Sequence, residues 1–143
     1  MKTGVKVIDA MTKEPVVVSP NEDVLSCAKK MDKHRVGSLL VEDKGVFLGI
    51  FTERDLISNV ISKGLNSKKI KVKDVMTRED MATILPPEDV YEAILMMSRD
   101  GIRRLPVVEG EKIVGLLTYK DIIKITPDLY DVYVEKLKMR FHS

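Results

Sequence analysis

The sequence is poor in the residues that build covalent or metal-based scaffolds. Its 143 residues include one cysteine, two histidines, no tryptophan and only 5% aromatic residues. The single Cys27 cannot form an intramolecular disulfide, and together with the scattered histidines it gives no metal-ligand cluster. It lies on a helical apolar stripe with Val24, Ala28 and Met31, which predicts a buried and chemically inert thiol. The hydrophobic core must therefore be mainly aliphatic.

The sequence also lacks a strong excess of either charge and any long hydrophobic run. There are 24 basic and 22 acidic residues, giving a net charge of +2. This balance argues against a general nucleic-acid or membrane surface. No apolar run approaches the roughly 20 residues of a membrane span, and Met1–Gly4 leads into a polar segment without a signal-peptide apolar region. We therefore expect a cytoplasmic protein with no membrane partner.

An internal repeat organises nearly the whole chain. Residues 19–58 align without a gap on residues 85–124, and 7–12 align on 72–77. The identical pairs in the longer alignment are Pro20/Pro86, Glu22/Glu88, Asp23/Asp89, Val24/Val90, Met31/Met97, Leu39/Leu105, Val41/Val107, Gly49/Gly115, Thr52/Thr118, Asp55/Asp121 and Ile57/Ile123. The repeat predicts two copies over 5–65 and 66–126, followed by an appended helix over 127–143.

Each copy predicts the order strand, helix, strand, strand, helix. In the first copy, Val16–Val18 are extended and Ser19 is expected to cap a helix, with Glu22 completing a capping box and the helix ending near Arg35 to Gly37. The remaining predicted segments are 38–41, 46–51 and 55–61 in the first copy, and 82–84, 105–108, 113–117 and 121–125 in the second. About 60 residues are marginal for an independent core. We therefore predict an α+β fold in which two β-α-β-β-α repeats pack about a pseudo-twofold axis, with a C-terminal helix.

The clearest motif is Gly-x-x-Thr-x-x-Asp, which occurs as Gly49–Asp55 and again as Gly115–Asp121. Both copies run from a strand end into a helix start, where free N–H groups attract phosphate or hydroxyl-rich groups. The threonine supplies a hydroxyl, the aspartate can accept both hydroxyls of a ribose, and the glycine leaves room for a ligand to approach the backbone. The alternative is a purely structural capping box. Duplication of the motif favours the functional interpretation.

The basic residues near these motifs are candidates for phosphate binding. Arg54 and Lys120 lie inside the motifs, and Arg103 and Arg104 precede the strand that begins at Leu105. Arginine can bind phosphate in a bidentate manner. Solvated side chains, or ion pairs with Asp100 or Glu109, are the alternatives.

These features together resemble a tandem CBS domain pair, or Bateman module, over roughly residues 5–126. The segments that carry the resemblance are Asp9–Thr12, His34–Val41, Gly49–Asp55, Asp74–Thr77, Arg103–Val108 and Gly115–Asp121. The Thr52–Asp55 form is similar to that of CBS pairs related to inosine-monophosphate dehydrogenase. No residues remain to build the dehydrogenase barrel itself.

The resemblance implies two nucleotide sites, each of which combines residues of both copies. The first would contain Thr118, Lys120 and Asp121 with Thr12, Val17, Val36, Gly37 and Ser38. The second would contain Thr52, Arg54 and Asp55 with Thr77, Ala82, Ile102, Arg103 and Arg104. The second is richer in arginine and is therefore expected to favour a more highly charged phosphate tail.

The function that follows from the resemblance is regulatory. The ligand would be AMP, ADP or ATP, acting as a regulatory ligand and not as a catalytic cofactor, and its binding would change the conformation that an unidentified regulated protein detects. Modules of this family usually associate into flat dimers, so the resemblance predicts a homodimer. Another adenosyl ligand, S-adenosylmethionine or NAD, is the first alternative, and a nucleic-acid binder is another. We predict no enzyme activity, because no nucleophile–base pair, phosphate-binding Walker loop or metal spacing is evident.

Overall fold

The computed structural model describes residues 2–79 and 81–142 of the chain. It is a mixed α+β fold, as the sequence predicts. Its helices are α1 (Val7–Ala10), α2 (Val24–His34), α3 (Glu53–Asp55), α4 (Val90–Asp100), α5 (Tyr119–Ile125) and α6 (Leu129–His142), and its strands are β1 (Val17–Val18), β2 (Ser38–Asp43), β3 (Val46–Thr52), β4 (Arg104–Glu109) and β5 (Lys112–Thr118). A π-helical segment, Leu56–Ile61, continues α3, and a short 3-10 turn covers Val72–Asp74.

The chain folds into two compact units that differ from its contiguous sequence repeats. One unit is Pro15–Met81, and the other combines Met1–Glu14 with Ala82–Ser143. The segment that precedes each repeat's first strand therefore belongs to the unit built from the other repeat. The repeat boundaries 5–65 and 66–126 remain a prediction about the sequence.

The unit Pro15–Met81 is built on a three-stranded sheet in the order β1-β2-β3, in which β1 is parallel and β3 antiparallel to β2. Phe51, Leu39 and Val41 are fully buried in its core. Helix α2 covers this core with its apolar face, as its periodicity predicts. The predicted Ser19 cap is wrong. Asp23 caps the helix instead, because its carboxylate accepts the backbone N–H of Ser26 at 2.9 Å.

The second unit contains the antiparallel pair β4–β5, helices α1, α4 and α5, and the predicted C-terminal helix α6. The extended segment 82–84 forms only one isolated parallel bridge, between Ile84 and Val107, and not a full strand. Helix α6 packs on α4 and buries Leu129 and Tyr133 in the aliphatic core. The ring of Tyr133 lies 4.6 Å from that of Tyr119, centroid to centroid. Among the described residues, no helix is both long enough and apolar enough to cross a bilayer.

The ends of the two equivalent helices α2 and α4 differ in one backbone feature. Both end in a left-handed residue, which is Arg35 with φ of 54° after α2 and Gly101 with φ of 66° after α4. This conformation costs a residue with a β-carbon about 1–2 kcal/mol, whereas glycine adopts it readily. The first repeat therefore stores strain at a position where the second has none.

We expect Arg35→Gly to raise the free energy of unfolding by about 0.5–1 kcal/mol, because the strain removed exceeds the added freedom of the unfolded chain. Urea unfolding measures this change. The reciprocal Gly101→Arg is the matched control and is expected to destabilise the protein. A less stable Arg35→Gly variant would contradict the prediction.

Cys27 on α2 confirms the predicted buried thiol. Its side chain is fully buried, and the loss of solvation raises the pKa of the thiol from 9.0 to about 12. The neutral form is therefore favoured in the folded state. Stability from this group is fully present below the ordinary thiol pKa and is lost as the pH rises from about 9 towards about 12.

We expect Cys27 to resist iodoacetamide at pH 8 in the native protein and to react readily in urea, because the reactive thiolate forms only after exposure. Mass spectrometry of the alkylated protein measures the extent of modification. Modification of the native protein at the rate seen in urea would be inconsistent with this burial.

Candidate functional site

The candidate site in the unit Pro15–Met81 begins with a close backbone approach at Gly49. The N–H of Ile50 donates to the carbonyl of Thr77 at 3.0 Å, and the N–H of Thr77 donates back to Ile50 at 2.9 Å. A β-carbon placed on Gly49 would lie 2.6 Å from the Thr77 carbonyl oxygen and 3.1 Å from the sulfur of Met76. The Met-Thr segment therefore lies against the middle of β3, where only glycine leaves space for it.

The other unit repeats this arrangement. The N–H of Leu116 donates to the carbonyl of Thr12 at 3.0 Å, and the N–H of Thr12 donates to Leu116 at 2.8 Å. A β-carbon on Gly115 would lie 2.6 Å from both the Thr12 carbonyl oxygen and the sulfur of Met11. The expectation that the motif glycine leaves room for a ligand is therefore wrong, since the protein's own Met-Thr segment occupies that space in both units.

The threonine and aspartate of each motif form a reciprocal capping box. In the first motif, the Thr52 hydroxyl accepts the N–H of Asp55 at 3.2 Å, and an Asp55 oxygen accepts the N–H of Thr52 at 3.0 Å. Thr118 and Asp121 make the same two contacts at the same distances at the start of α5. The structural alternative raised by the sequence is thus correct for the local geometry. It uses only one oxygen, Oδ2, of each carboxylate.

The two aspartates differ in the hydrogen bonds that their other carboxylate oxygen, Oδ1, accepts. The hydroxyl of Thr77 donates to Asp55, at 3.2 Å from Oδ1 and 3.4 Å from Oδ2. Asp55 is buried, with 9% of its surface exposed. Asp121 is more exposed. Within residues 2–79 and 81–142, its Oδ1 accepts no hydrogen bond and the hydroxyl of Thr12 donates none.

Two basic residues at the start of β4 lie beside the motif of their own unit. Arg104 pairs with Thr118 in the β4–β5 register, and the carbonyl of Arg103 accepts the N–H of Tyr119 at 2.7 Å. Burial raises the pKa of Tyr119, and the positive charge of Arg103 opposes this rise. Asp100, considered above as an ionic partner of this pair, forms an ion pair with Arg99 at 3.1 Å.

The equivalent positions in the other unit are uncharged. Ser38 pairs with Thr52, and the carbonyl of Gly37 accepts the N–H of Glu53 at 3.0 Å. Arg54, inside the motif, is exposed there. The surroundings of Thr118 are therefore richer in basic residues than those of Thr52.

The structure divides the predicted nucleotide-binding residues between the two units. The unit Pro15–Met81 contains Val17, Val36, Gly37, Ser38, Thr52, Arg54, Asp55 and Thr77, and the other unit contains Thr12, Ala82, Ile102, Arg103, Arg104, Thr118, Lys120 and Asp121. Each predicted site combines members of both sets, so these combinations stay predictions. Among the residues the structure describes, no group of three or more histidine, cysteine, aspartate or glutamate side chains could hold a metal ion.

Met11 and Met76 have a packing role that the motifs alone do not predict. Each places its side chain against the motif glycine of its own unit. Both occur in the repeated Met-Thr segments, so the repeat itself was the signal that could have identified them.

Comparison with known proteins gives the family to which this arrangement belongs. The sequence pattern of the CBS domain matches twice, over residues 7–62 and 72–128. The chain belongs to the CBS domain family. It is 35% identical over 137 residues to an uncharacterized protein of Methanopyrus kandleri, covering 94% of this chain and 69% of that protein. The tandem pair inferred from the repeat is confirmed.

Two further comparisons concern a larger enzyme and a solved structure of a CBS domain pair. It is 32% identical over 123 residues to inosine-5'-monophosphate dehydrogenase of Methanocaldococcus jannaschii, covering 83% of this chain but only 23% of the enzyme. It superposes with a TM-score of 0.75 and 28% identity on the CBS domain pair of the protein MJ0100, over 85% of this chain and 98% of that one. That structure is a complex with 5'-methylthioadenosine and S-adenosyl-L-methionine.

We expect Gly115→Ala to destabilise the protein by about 1–3 kcal/mol, because the added methyl group would overlap a backbone oxygen that is fixed by two hydrogen bonds. Chemical unfolding measures the change. Gly110→Asn is the control, since Gly110 has a φ of 64° that asparagine tolerates and no atom lies within 4 Å of its added β-carbon. Equal stability of Gly115→Ala and the natural protein would contradict the proposed fit.

Proposed function

We propose that this CBS pair is a regulatory sensor of adenine nucleotides, AMP, ADP or ATP, whose ribose is bound by the motif aspartates. The observation that supports this most directly is the carboxylate of Asp121. Its Oδ2 completes the capping box, while its Oδ1 receives no hydrogen bond from the described residues. A carboxylate oxygen in this state can accept a ribose hydroxyl. The capping box fixes the side chain in position, so that binding requires little further ordering.

The basic residues of the two proposed sites support a phosphate-bearing ligand. Lys120 follows one residue after the start of α5, in the motif of Asp121. Arg54 lies in the motif of Asp55, and Arg103 belongs to the same proposed site. Arg54, Arg103 and Lys120 are exposed. In each site these guanidinium and ammonium groups would pair with the phosphates of a nucleotide.

The two complete sites are proposed as the sequence predicts them. One combines Thr118, Lys120 and Asp121 with Thr12, Val17, Val36, Gly37 and Ser38, and the other combines Thr52, Arg54 and Asp55 with Thr77, Ala82, Ile102, Arg103 and Arg104. The ligand would act by favouring one arrangement of the pair, which a regulated protein then detects. The size of this effect is limited by the ligand's differential affinity for the two arrangements. A cytoplasmic homodimer without catalytic activity is part of the same proposal.

A second candidate ligand is an adenosyl compound without phosphate. The complex of MJ0100 with 5'-methylthioadenosine and S-adenosyl-L-methionine favours this alternative. Both ligands retain the ribose that Asp121 and Asp55 would bind, but neither has a phosphate for Arg103 or Lys120. The two hypotheses therefore differ in the contribution of the basic residues.

We expect calorimetry to show binding of at least one of AMP, ADP and ATP. The double variant Asp55→Asn with Asp121→Asn should weaken it at least tenfold, because each substitution removes a charged acceptor of hydrogen bonds, worth about 1.5–3 kcal/mol. Asparagine keeps a side-chain oxygen, so the capping boxes can still form. Asp23→Asn, which changes a helix cap outside the motifs, is the matched control and should retain normal affinity.

The ligand class is resolved in the same experiment by adding 5'-methylthioadenosine and S-adenosylmethionine. Arg103→Ala with Lys120→Ala should weaken ATP binding and leave 5'-methylthioadenosine binding unchanged if phosphate is recognised. Absence of binding by all five compounds to folded protein would overturn the proposal. Binding of only the two compounds without phosphate would establish the second candidate.

A further inference from the structure

The two motif carboxylates are related by the sequence repeat but differ in the structure. Asp55 accepts the Thr52 N–H on Oδ2 and the Thr77 hydroxyl at 3.2 Å from Oδ1. Among the described residues, Asp121 accepts only the equivalent Thr118 N–H, on Oδ2. The threonines of the two Met-Thr segments, Thr77 and Thr12, make the same backbone pairing with their strands. The difference therefore lies in the threonine side chain and not in the path of the backbone.

The Thr77 hydroxyl competes with any ribose hydroxyl for Asp55. It also donates weakly to Oδ2, at 3.4 Å, so its hydroxyl lies where a ligand that bridges both carboxylate oxygens would place its own. Only 9% of the surface of Asp55 is exposed, which leaves little access for a ligand unless Thr77 moves. Neither restriction applies to Asp121. It is more exposed than Asp55, and among the described residues the Thr12 hydroxyl does not donate to it.

We propose that the Thr77–Asp55 hydrogen bond holds the first motif in a closed state, so that a ligand binds first through Asp121 and only at higher concentration through Asp55. This inference rests on the proposed function, since it concerns the same two carboxylates and the ribose of the same ligand. Thr77 is then a residue that sets the affinity of one site. The module would respond in two steps over a range of ligand concentration, instead of filling both sites together.

The hydrogen bond can be tested without any ligand. Thr77→Val keeps the shape of the side chain and the backbone pairing but removes the hydroxyl, leaving the buried Asp55 with one partner fewer. Thr12→Val is the matched control in the other unit, where no such bond is described. We expect a clearly lower urea midpoint for Thr77→Val than for Thr12→Val. Equal midpoints would overturn the inference.

The effect on binding is tested with one carboxylate at a time. Asp121→Asn leaves Asp55 as the only motif carboxylate, and Asp55→Asn leaves Asp121, so calorimetry with the nucleotide that binds best reports each site separately. We expect the Asp55→Asn variant to bind roughly five- to tenfold more tightly than Asp121→Asn. Adding Thr77→Val to Asp121→Asn should recover most of this difference, because the ribose then has no competitor.

The outcomes separate this inference from the proposed function. Equal affinity of the two single variants, or weaker binding when Thr77→Val is added to Asp121→Asn, overturns the two-step inference while nucleotide binding itself stands. Weaker binding would also show that the Thr77 hydroxyl contacts the ligand directly. No binding of any nucleotide to the folded natural protein overturns both.

Discussion

The backbone pairing beside Gly49 and Gly115 organises the motif region of each unit. A carbonyl oxygen lies 2.6 Å from the place that a β-carbon would take, which is too close for any other residue. Glycine therefore lets the Met-Thr segment approach the strand closely enough to form two hydrogen bonds. Buried backbone groups need partners, and this pairing supplies them for an otherwise isolated segment. It also fixes the threonine of that segment close to the motif aspartate, which in one unit produces the Thr77–Asp55 contact.

The capping box and the proposed ligand role are compatible because they use different oxygen atoms. Oδ2 of each motif aspartate closes the reciprocal bond with its threonine, and this bond stabilises the helix start and holds the side chain in one orientation. Oδ1 remains available to accept from a further donor. At Asp55 this donor is the hydroxyl of Thr77. A residue with a structural role in the free protein can therefore serve as a preorganised acceptor for a ligand.

Most of the local structure could be predicted from the sequence because hydrophobic periodicity and turn residues act over short distances. The strands around Leu39 and Val107 and the helix that carries Cys27 follow their apolar patterns. Two local predictions are exceptions, namely the helix cap at Ser19 and the strand at 82–84. Ser19 and Glu22 fit a capping box, yet Asp23 caps the helix through Ser26, and 82–84 makes one bridge instead of a strand. Sequence patterns do not show which of two candidate residues caps the helix.

The tandem CBS pair, the α+β class and the positions of the two Thr-x-x-Asp motifs follow from the amino-acid pattern, because a duplicated series of apolar and turn residues specifies each copy independently. The chain segment that fills the space beside each motif glycine is a feature of the folded protein. So is the difference between the carboxylates, since Thr77 donates to Asp55 and no described threonine makes the equivalent bond to Asp121. Those features depend on contacts between residues 22 or more positions apart in the chain, and their side-chain geometry has no counterpart in local sequence periodicity.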